Sequence, residues 1–498
     1  MTNSPNLSGP YQPNWDSLIS YGVPDWMIDA KFGLYAHWGL YSVPGFGNEW
    51  YGKWVYDPTF EAAPAYQQHI DRYGPLSKFG YKDFVPMFMA EKYDADAWAD
   101  LMQASGAKYG GFSLAHHDGY GLWDSDVYEW NVGKMGPKRD LYGELVSALR
   151  QRGLRIVAPF HIVRGYNWYL PGWDQFGKQL NHQIIEQGKR EKWDLFDPAY
   201  ADFYWNQEVG ADYEEFLQLW VAKVIEVWDR YQPDVTWFDS GEFRGGKYER
   251  HTLELLCHYL NRSVEWGKGV TVLNKMAPNE VQNFDPRFGV LNYEAGRSRD
   301  DSVARPWNDD LQIGDKSWGW VENQTYLTGK DVLNNLIDRV ARGGSLMLSL
   351  SPKADGTIPE GQQQALRDTG AWLNQYGESI YNTRGWKVHG EGDDARFFDT
   401  SGKFPKWVFK GCTADDKRYT QSKDGNTLYA FALGQPNREI IFESLGGNAG
   451  LLEREIRRVG LLGGAESDWA VQAGGLVINT AGVEAPDGAA VVWKVEFA

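Results

Sequence analysis

Five polar side chains share one setting in this sequence: each stands just past a short apolar run. His37 follows Phe32-Gly33-Leu34-Tyr35-Ala36, His116 and His117 follow the run from Tyr109 to Leu114, His161 follows Leu154 to Phe160, and Asp239 follows Val235-Thr236-Trp237-Phe238. Glu49 and Trp50 lie on a Gly-rich aromatic loop over residues 43–56, the kind of loop that lines a pocket. Neutral imidazole offers a donor and an acceptor to a sugar hydroxyl, and aromatic faces stack on the apolar faces of sugar rings. The chain carries 24 Trp, 28 Tyr and 23 Phe, 15% of its residues, which favours carbohydrate as the ligand. Glycoside hydrolysis needs a second carboxyl, about 5 Å from the first in a retaining enzyme and farther away in an inverting one. Glu294, Glu242, Glu49 and Asp118 are the candidates for that role. The alternative for Asp239 alone is a helix cap. Adjacent histidines also suggest a divalent metal, but neighbours in a strand point to opposite faces. His116 and His117 are therefore not expected to share an ion, and neither a metal nor a cofactor is expected.

Those runs must be strands, because amphipathic helical stretches alternate with them. Asp94 to Met102 reads as a helix stopped by Gly106 before the Tyr109 run, and Asp140 to Leu149 as a helix stopped by Gly153 before the Leu154 run. The helix around 216–231 leads into the Trp237 strand; Val270 to Asn274 is another strand, and the helix Val332 to Arg342 leads into Ser345 to Leu350. Residues 291–320 read as a long loop. Helix, loop, apolar strand and a polar residue at its C-terminal end is the cadence of an α/β fold of (β/α)8 type, with the chemistry at the C-terminal ends of the strands. After about residue 385 the segments shorten and are separated by Gly, Asn and Asp, as in an antiparallel β-sandwich. The expected organisation is a barrel over residues 1–380 and a sandwich over 385–498.

The balance of 50 basic against 67 acidic residues, a net charge of −17, argues against nucleic acid and anionic membrane as partners. Cys257 and Cys412 are far apart in sequence and no disulfide framework is expected. The first residues lack the basic and apolar regions of a signal peptide and no run reaches membrane-spanning length, so a cytoplasmic enzyme is expected, with secretion after removal of a leader left open.

Lys31 to Gly39, Glu49-Trp50-Tyr51, His116-His117-Asp118-Gly119, Trp237-Phe238-Asp239 and Ser317-Trp318-Gly319-Trp320 together resemble, in order and approximate spacing, the motif series of the α-L-fucosidases of glycoside hydrolase family 29. The resemblance implies a retaining exo-hydrolase acting on fucosylated oligosaccharides or glycoconjugates, without a cofactor; it leaves homo-oligomer formation open. It makes Asp239 the nucleophile and places His37, His116, His117, Glu49, Trp50, Trp237 and Trp318 around the sugar. Tyr293-Glu294-Ala295-Gly296-Arg297 is similar to a Phe-Glu-x-x-Arg variant of the family, which makes Glu294 the acid/base. Two departures fall in the pocket: Lys275 stands where many members have Arg, and His161 follows Phe160 where members often carry Tyr-Tyr-Ser. Asn308 replaces the usual Glu after Trp307. The alternatives are an α-L-galactosidase on the same fold, a non-catalytic carbohydrate-binding barrel and a histidine-rich metallohydrolase.

Overall fold

A computed structural model describes residues 4–60, 64–173, 179–239, 243–246, 248–275, 283–295, 305–399 and 406–498. Eight parallel strands close into a barrel: β1 Phe32–Ala36, β2 Tyr109–Gly111, β3 Arg155–Phe160, β4 Val235–Phe238, β5 Thr271–Lys275, β6 Val290–Glu294, β7 Trp307–Gln312 and β8 Ser345–Leu350. The barrel shuts where β1 pairs with β8 from Phe32↔Leu346 to Ala36↔Leu350. Both faces of these strands are buried, which is why they read as apolar runs rather than alternating ones.

Alternate residues fill the interior. Tyr35, Tyr109, Val157, Val235, Trp237, Leu273, Val290 and Met347 form one inner cluster, closed at the N-terminal end by Met27 and Ala30 of the helix Asp25–Ala30. Residues of opposite parity, such as Leu34, Phe160, Phe238 and Leu348, pack outward against the surrounding helices. Gly33 makes room for the Tyr109 ring: a Cβ there would lie 2.0 Å from its Cε2. The helices are capped by their own sequence. Asp212 accepts from the Glu215 amide at the start of Tyr213–Tyr231, and Thr328 with Asp331 forms a capping box on Gly329–Ala341.

Two sequence expectations change. Residues 291–320 are not one loop: β6 and β7 run through them, polar on their inward faces and for that reason not legible as apolar runs. The second strand is also shorter than Tyr109 to Leu114. Beyond Gly111 it keeps single bonds to both neighbours, from the Ser113 amide to the Ala36 carbonyl (2.9 Å) and from the Leu114 amide to the Pro159 carbonyl (3.1 Å), without a regular ladder.

In the C-terminal region a five-stranded antiparallel sheet, in the order Ile456–Leu461, Val491–Phe497, Thr427–Ala432, Lys417–Ser422 and Thr383–Glu391, faces a three-stranded one of Glu439–Phe442, Gly475–Asn479 and Trp469–Gln472. Leu428, Ala430 and Trp493 from the first sheet pack with Ile440, Phe442, Leu476 and Ile478 from the second. The sandwich is fastened to the barrel by buried charge. Arg418, fully buried, donates from Nε to Oδ1 of Asp338 on the helix Gly329–Ala341 at 2.8 Å and pairs with Asp394 at 2.6 Å. Next to it Arg339 bonds Asp309 of β7 at 2.8 Å.

Asp338→Ala would leave the Arg418 guanidinium buried with half its compensation, a loss of about 3–5 kcal/mol, read as a lower unfolding midpoint in scanning calorimetry. The double variant Asp338→Leu/Arg418→Met, which removes both charges, should regain most of it. A single variant that melts with the unsubstituted protein would mean that this pair does not hold the two parts together.

Candidate functional site

Strand register and parity assemble the site. Phe160 and Phe238 are partners across β3 and β4, so His161 and Asp239, each one residue farther on, stand side by side. The Asp239 amide bonds the Phe160 carbonyl at 2.9 Å, and the His37 amide bonds that of Leu350 at 2.9 Å. Asp239 comes two residues after the inward Trp237, Lys275 two after the inward Leu273, and Glu294 ends β6 opposite Asp310 of β7. All therefore point into the C-terminal mouth of the barrel, where such folds do their chemistry. Asp239 caps no described helix, since the next one begins at Glu249. Glu294 lies at a strand end and not on a loop.

Lys275 ties the two carboxylates together. Its Nζ is 2.5 Å from Oδ1 of Asp239 and 3.0 Å from Oε2 of Glu294. Those two oxygens can be no farther apart than the two bonds laid end to end, about 5.5 Å, a ceiling below the roughly 6.5–9.5 Å of inverting glycosidases and compatible with the shorter spacing of retaining ones. Burial would push the Asp239 carboxyl up, but Lys275 first and then His161, Arg164 and His117 outweigh it and hold it well below the usual carboxylate range. The imidazoles are uncharged at neutral pH, so the fixed cations Lys275 and Arg164 carry that effect there. Burial lowers Lys275, yet Asp239, Glu294 and Asp310 raise its ammonium above an ordinary lysine.

Four buried histidines line the same mouth. Burial pushes His116 down to about 3 and His37, His117 and His161 well below the ordinary imidazole value, so all four are neutral near pH 7. Nδ1 of His37 meets Ser349 Oγ at 2.9 Å and Nδ1 of His161 meets Ser113 Oγ at 2.9 Å. His117 donates from Nδ1 to the His161 carbonyl (2.5 Å), which leaves its Nε2 as a lone pair 3.5 Å from Oδ2 of Asp239. A hydroxyl approaching from the side of this pair has an acceptor on each residue to donate to. His116 and His117 do not alternate across a strand as the sequence suggested, because they lie beyond β2 in a turn closed by the Gly119 amide on the His116 carbonyl (3.0 Å); their rings are 4.5 Å apart.

Aromatic walls complete the pocket. Trp237 sets its ring against His161 (5.2 Å) and beneath the Lys275 ammonium (4.7 Å), with a buried indole N–H that has no partner among the described residues. Trp50 stands 5.2 Å from His117, and Trp318 stands 5.2 Å from His37. Glu49 is the clasp between their loops: its Oε2 accepts from Ser317 Oγ (2.8 Å) and the Trp318 amide (3.2 Å). Asp118 is engaged elsewhere, accepting from Tyr81 (2.8 Å) and the Tyr120 amide (3.1 Å). Among the four candidates for the second carboxyl, Glu242 lies outside the described residues and Glu294 is the one in contact with Lys275.

Sequence reasoning missed Asp310 and the two serines, Ser113 and Ser349. Asp310 is fully buried, accepts from the Tyr35 hydroxyl at 3.2 Å, and is pushed well above the usual carboxyl range by burial, with Lys275 opposing and Glu294, Asp309 and Asp239 adding to the shift. It is therefore a neutral acid under the two ionisable carboxyls. The signal available was the spacing of Asn308, Asp310 and Gln312, a period of two carried by polar residues.

Comparison with known proteins agrees with this geometry. Residues 1–378 match the family model described as Alpha-L-fucosidase. An alpha-L-fucosidase of Branchiostoma floridae is 30% identical over 406 residues, covering 78% of this chain and 79% of its own. The plasma alpha-L-fucosidase of Homo sapiens is 31% identical over 386 residues, 76% of this chain and 73% of its own. The crystal structure of Thermotoga maritima alpha-fucosidase, 26% identical, superposes with a TM-score of 0.72 over 97% of this chain and all of that one, and its complex with fucose does so at 0.70. A match over the whole barrel, shared with relatives of this identity and coverage, shows that the chain belongs to the alpha-L-fucosidase family of glycoside hydrolases.

Proposed function

We propose that this protein releases terminal α-L-fucose from oligosaccharides or glycoconjugates by double displacement, with Asp239 as nucleophile and Glu294 as acid/base. The observation that carries the reading is the pair of carboxylates joined through Lys275 at a separation suited to a retaining mechanism. Asp239 is held ionised by fixed cations, as a nucleophile must be. Its Oδ1 attacks the anomeric carbon while the Glu294 carboxyl gives its proton to the departing glycosidic oxygen. Among Lys275, Asp239 and Glu294, a proton on Glu294 is the one that balances the charge. Covalent bonding then neutralises Asp239, Lys275 is left with Glu294 as its counter-charge, and the Glu294 carboxylate takes the proton of the water that frees the sugar.

The sugar's own hydroxyls would be read by the neutral imidazoles, one of them donating to the paired acceptors of His117 and Asp239. Trp237, Trp50 and Trp318 supply faces for the ring. Asp310, neutral and hydrogen-bonded by Tyr35, keeps a second negative charge away from Lys275, whose ammonium stays available to the reacting pair.

Turnover of p-nitrophenyl α-L-fucoside is expected to exceed that of the α-L-galactoside, with the α-anomer of fucose appearing first by NMR. Preference for the galactoside would shift the substrate, and no turnover of either would leave a binding protein. Asp239→Ala should lose essentially all activity and, with azide, form the inverted β-fucosyl azide. Glu294→Ala should lose about 10²–10⁴ in rate on natural linkages and form the retained α-fucosyl azide. The same azide anomer from both variants would contradict the two roles. Lys275→Met removes the charge that depresses Asp239, so the nucleophile's carboxyl rises and the acid limb of kcat/KM moves to higher pH; an unmoved limb would mean that Lys275 does not control it.

A further inference from the structure

The departure at His161 does more than alter the sugar pocket. One ring nitrogen from each of His37, His116 and His161 lies within 4.8 Å of one from each of the others, and all three side chains are buried. Their ring centres are separated by 5.0 Å (His37 and His161), 5.1 Å (His116 and His161) and 6.0 Å (His37 and His116). Three imidazoles on one tetrahedral zinc, with Zn–N bonds of about 2.0–2.1 Å, place their ring centres roughly 5 Å apart. Two of the three ring-centre separations match that spacing and the third needs to close by about 1 Å; the ring nitrogens, within 4.8 Å of one another, must draw in to the roughly 3.4 Å that such bonds require.

The surroundings are those of a ligand set. A metal-bound histidine usually has its other ring nitrogen held by a partner that fixes tautomer and orientation. Ser349 holds Nδ1 of His37 and Ser113 holds Nδ1 of His161, so Nε2 is the nitrogen each ring has to offer. His116 keeps a buried Nδ1 with no hydrogen-bond partner among the described residues. The rings are uncharged at neutral pH and their lone pairs are available. Trp237, Trp318 and Tyr41, each within 5.2 Å of one of the three rings, exclude bulk water. The adjacent pair His116 and His117 is not the one that converges; the third ligand comes from the end of the neighbouring strand.

We propose that His37, His116 and His161 form a three-imidazole site for a zinc-type divalent cation, and that the cation and the sugar compete for it. Imidazole nitrogen selects zinc, nickel and copper over magnesium or calcium. Three protein ligands leave a fourth position for water or a hydroxyl. The ion occupies the place where the imidazoles would meet sugar hydroxyls, and its charge lies beside Lys275 and Arg164, so it acts as an inhibitor and not as an electrophile for the reaction. The competition rests on the function proposed above; the ion site does not.

Titration of the chelator-treated full-length protein with cobalt(II) should give one equivalent with a visible d–d band that zinc abolishes. His161→Phe should weaken cobalt binding by about 100-fold or more, and Ser113→Ala, which leaves the ligands and removes only an orienting hydroxyl, by about 10–100-fold. No band, or a band of unchanged affinity in folded His161→Phe, overturns the site; should that variant fail to fold by circular dichroism, unchanged affinity in Ser113→Ala overturns it. L-Fucose added to the cobalt form should bleach the band. A band that persists while α-L-fucosides are turned over overturns the competition, whereas a protein without turnover fails the functional reading and leaves the cobalt titration to judge the site.

Discussion

Lys275 carries a positive charge into a barrel mouth that, among the described residues, also holds two carboxyls in contact with it, a third beneath them, four histidines and, within electrostatic reach of Asp239, the Arg164 guanidinium. Desolvation works against every charged form there. What survives is decided by contact: the ammonium is retained because carboxylates surround it, and Asp239 is retained as a carboxylate because the ammonium touches it. Groups without such a partner give up their charge. The imidazoles become neutral, and Asp310, which shares Lys275 with closer competitors, keeps its proton. One ion pair thus divides the site into a charged reacting centre and an uncharged, hydrogen-bonding wall.

That division depends on backbone parity. A parallel barrel presents every second residue to its interior, and the apolar inner layer of Val235, Leu273 and Val290 is followed outward along the same strands by Asp239, Lys275 and Glu294. A slip of one residue in β5 would send Lys275 into the helical layer and Asn274 into the mouth. Asn274 resists that slip: its side chain donates to the Asp285 carbonyl at 2.9 Å and accepts the Phe284 amide at 3.0 Å, which anchors the outward face of the strand.

The sequence was most legible where burial is uniform. β1, β3 and β4 are buried and largely apolar on both faces, and β8 alternates leucines with small or apolar residues, so their runs and the polar residues at their ends could be read directly. β6 and β7 were opaque because the interior they face is polar: Asn292 and Asn308 bond one another at 3.0 Å, and Asn308 reaches Ser345 at 3.0 Å. A buried layer built from amides and carboxyls has the composition of a loop. Glu294 could therefore be nominated by motif while its strand went unseen, and Asp310, with no motif to carry it, was missed. No described helix is long and apolar enough to cross a membrane, in keeping with the absence of any such run in the sequence.

The lysine at position 275 and the histidine at position 161 have linked consequences. A guanidinium would engage carboxylates through a planar fork; the ammonium is a point charge that can sit between Asp239 and Glu294, bond both and still lie over the Trp237 ring at 4.7 Å. Trp237 in turn presents its ring to the edge of His161, whose Nδ1 is tied to Ser113. The Trp237 ring is thus the surface across which the cation and the third imidazole are spaced. Lys275 meets Asp239 and Glu294 over the Trp237 ring, while His161, packed against the same ring, keeps a ring nitrogen within 4.8 Å of those of His37 and His116.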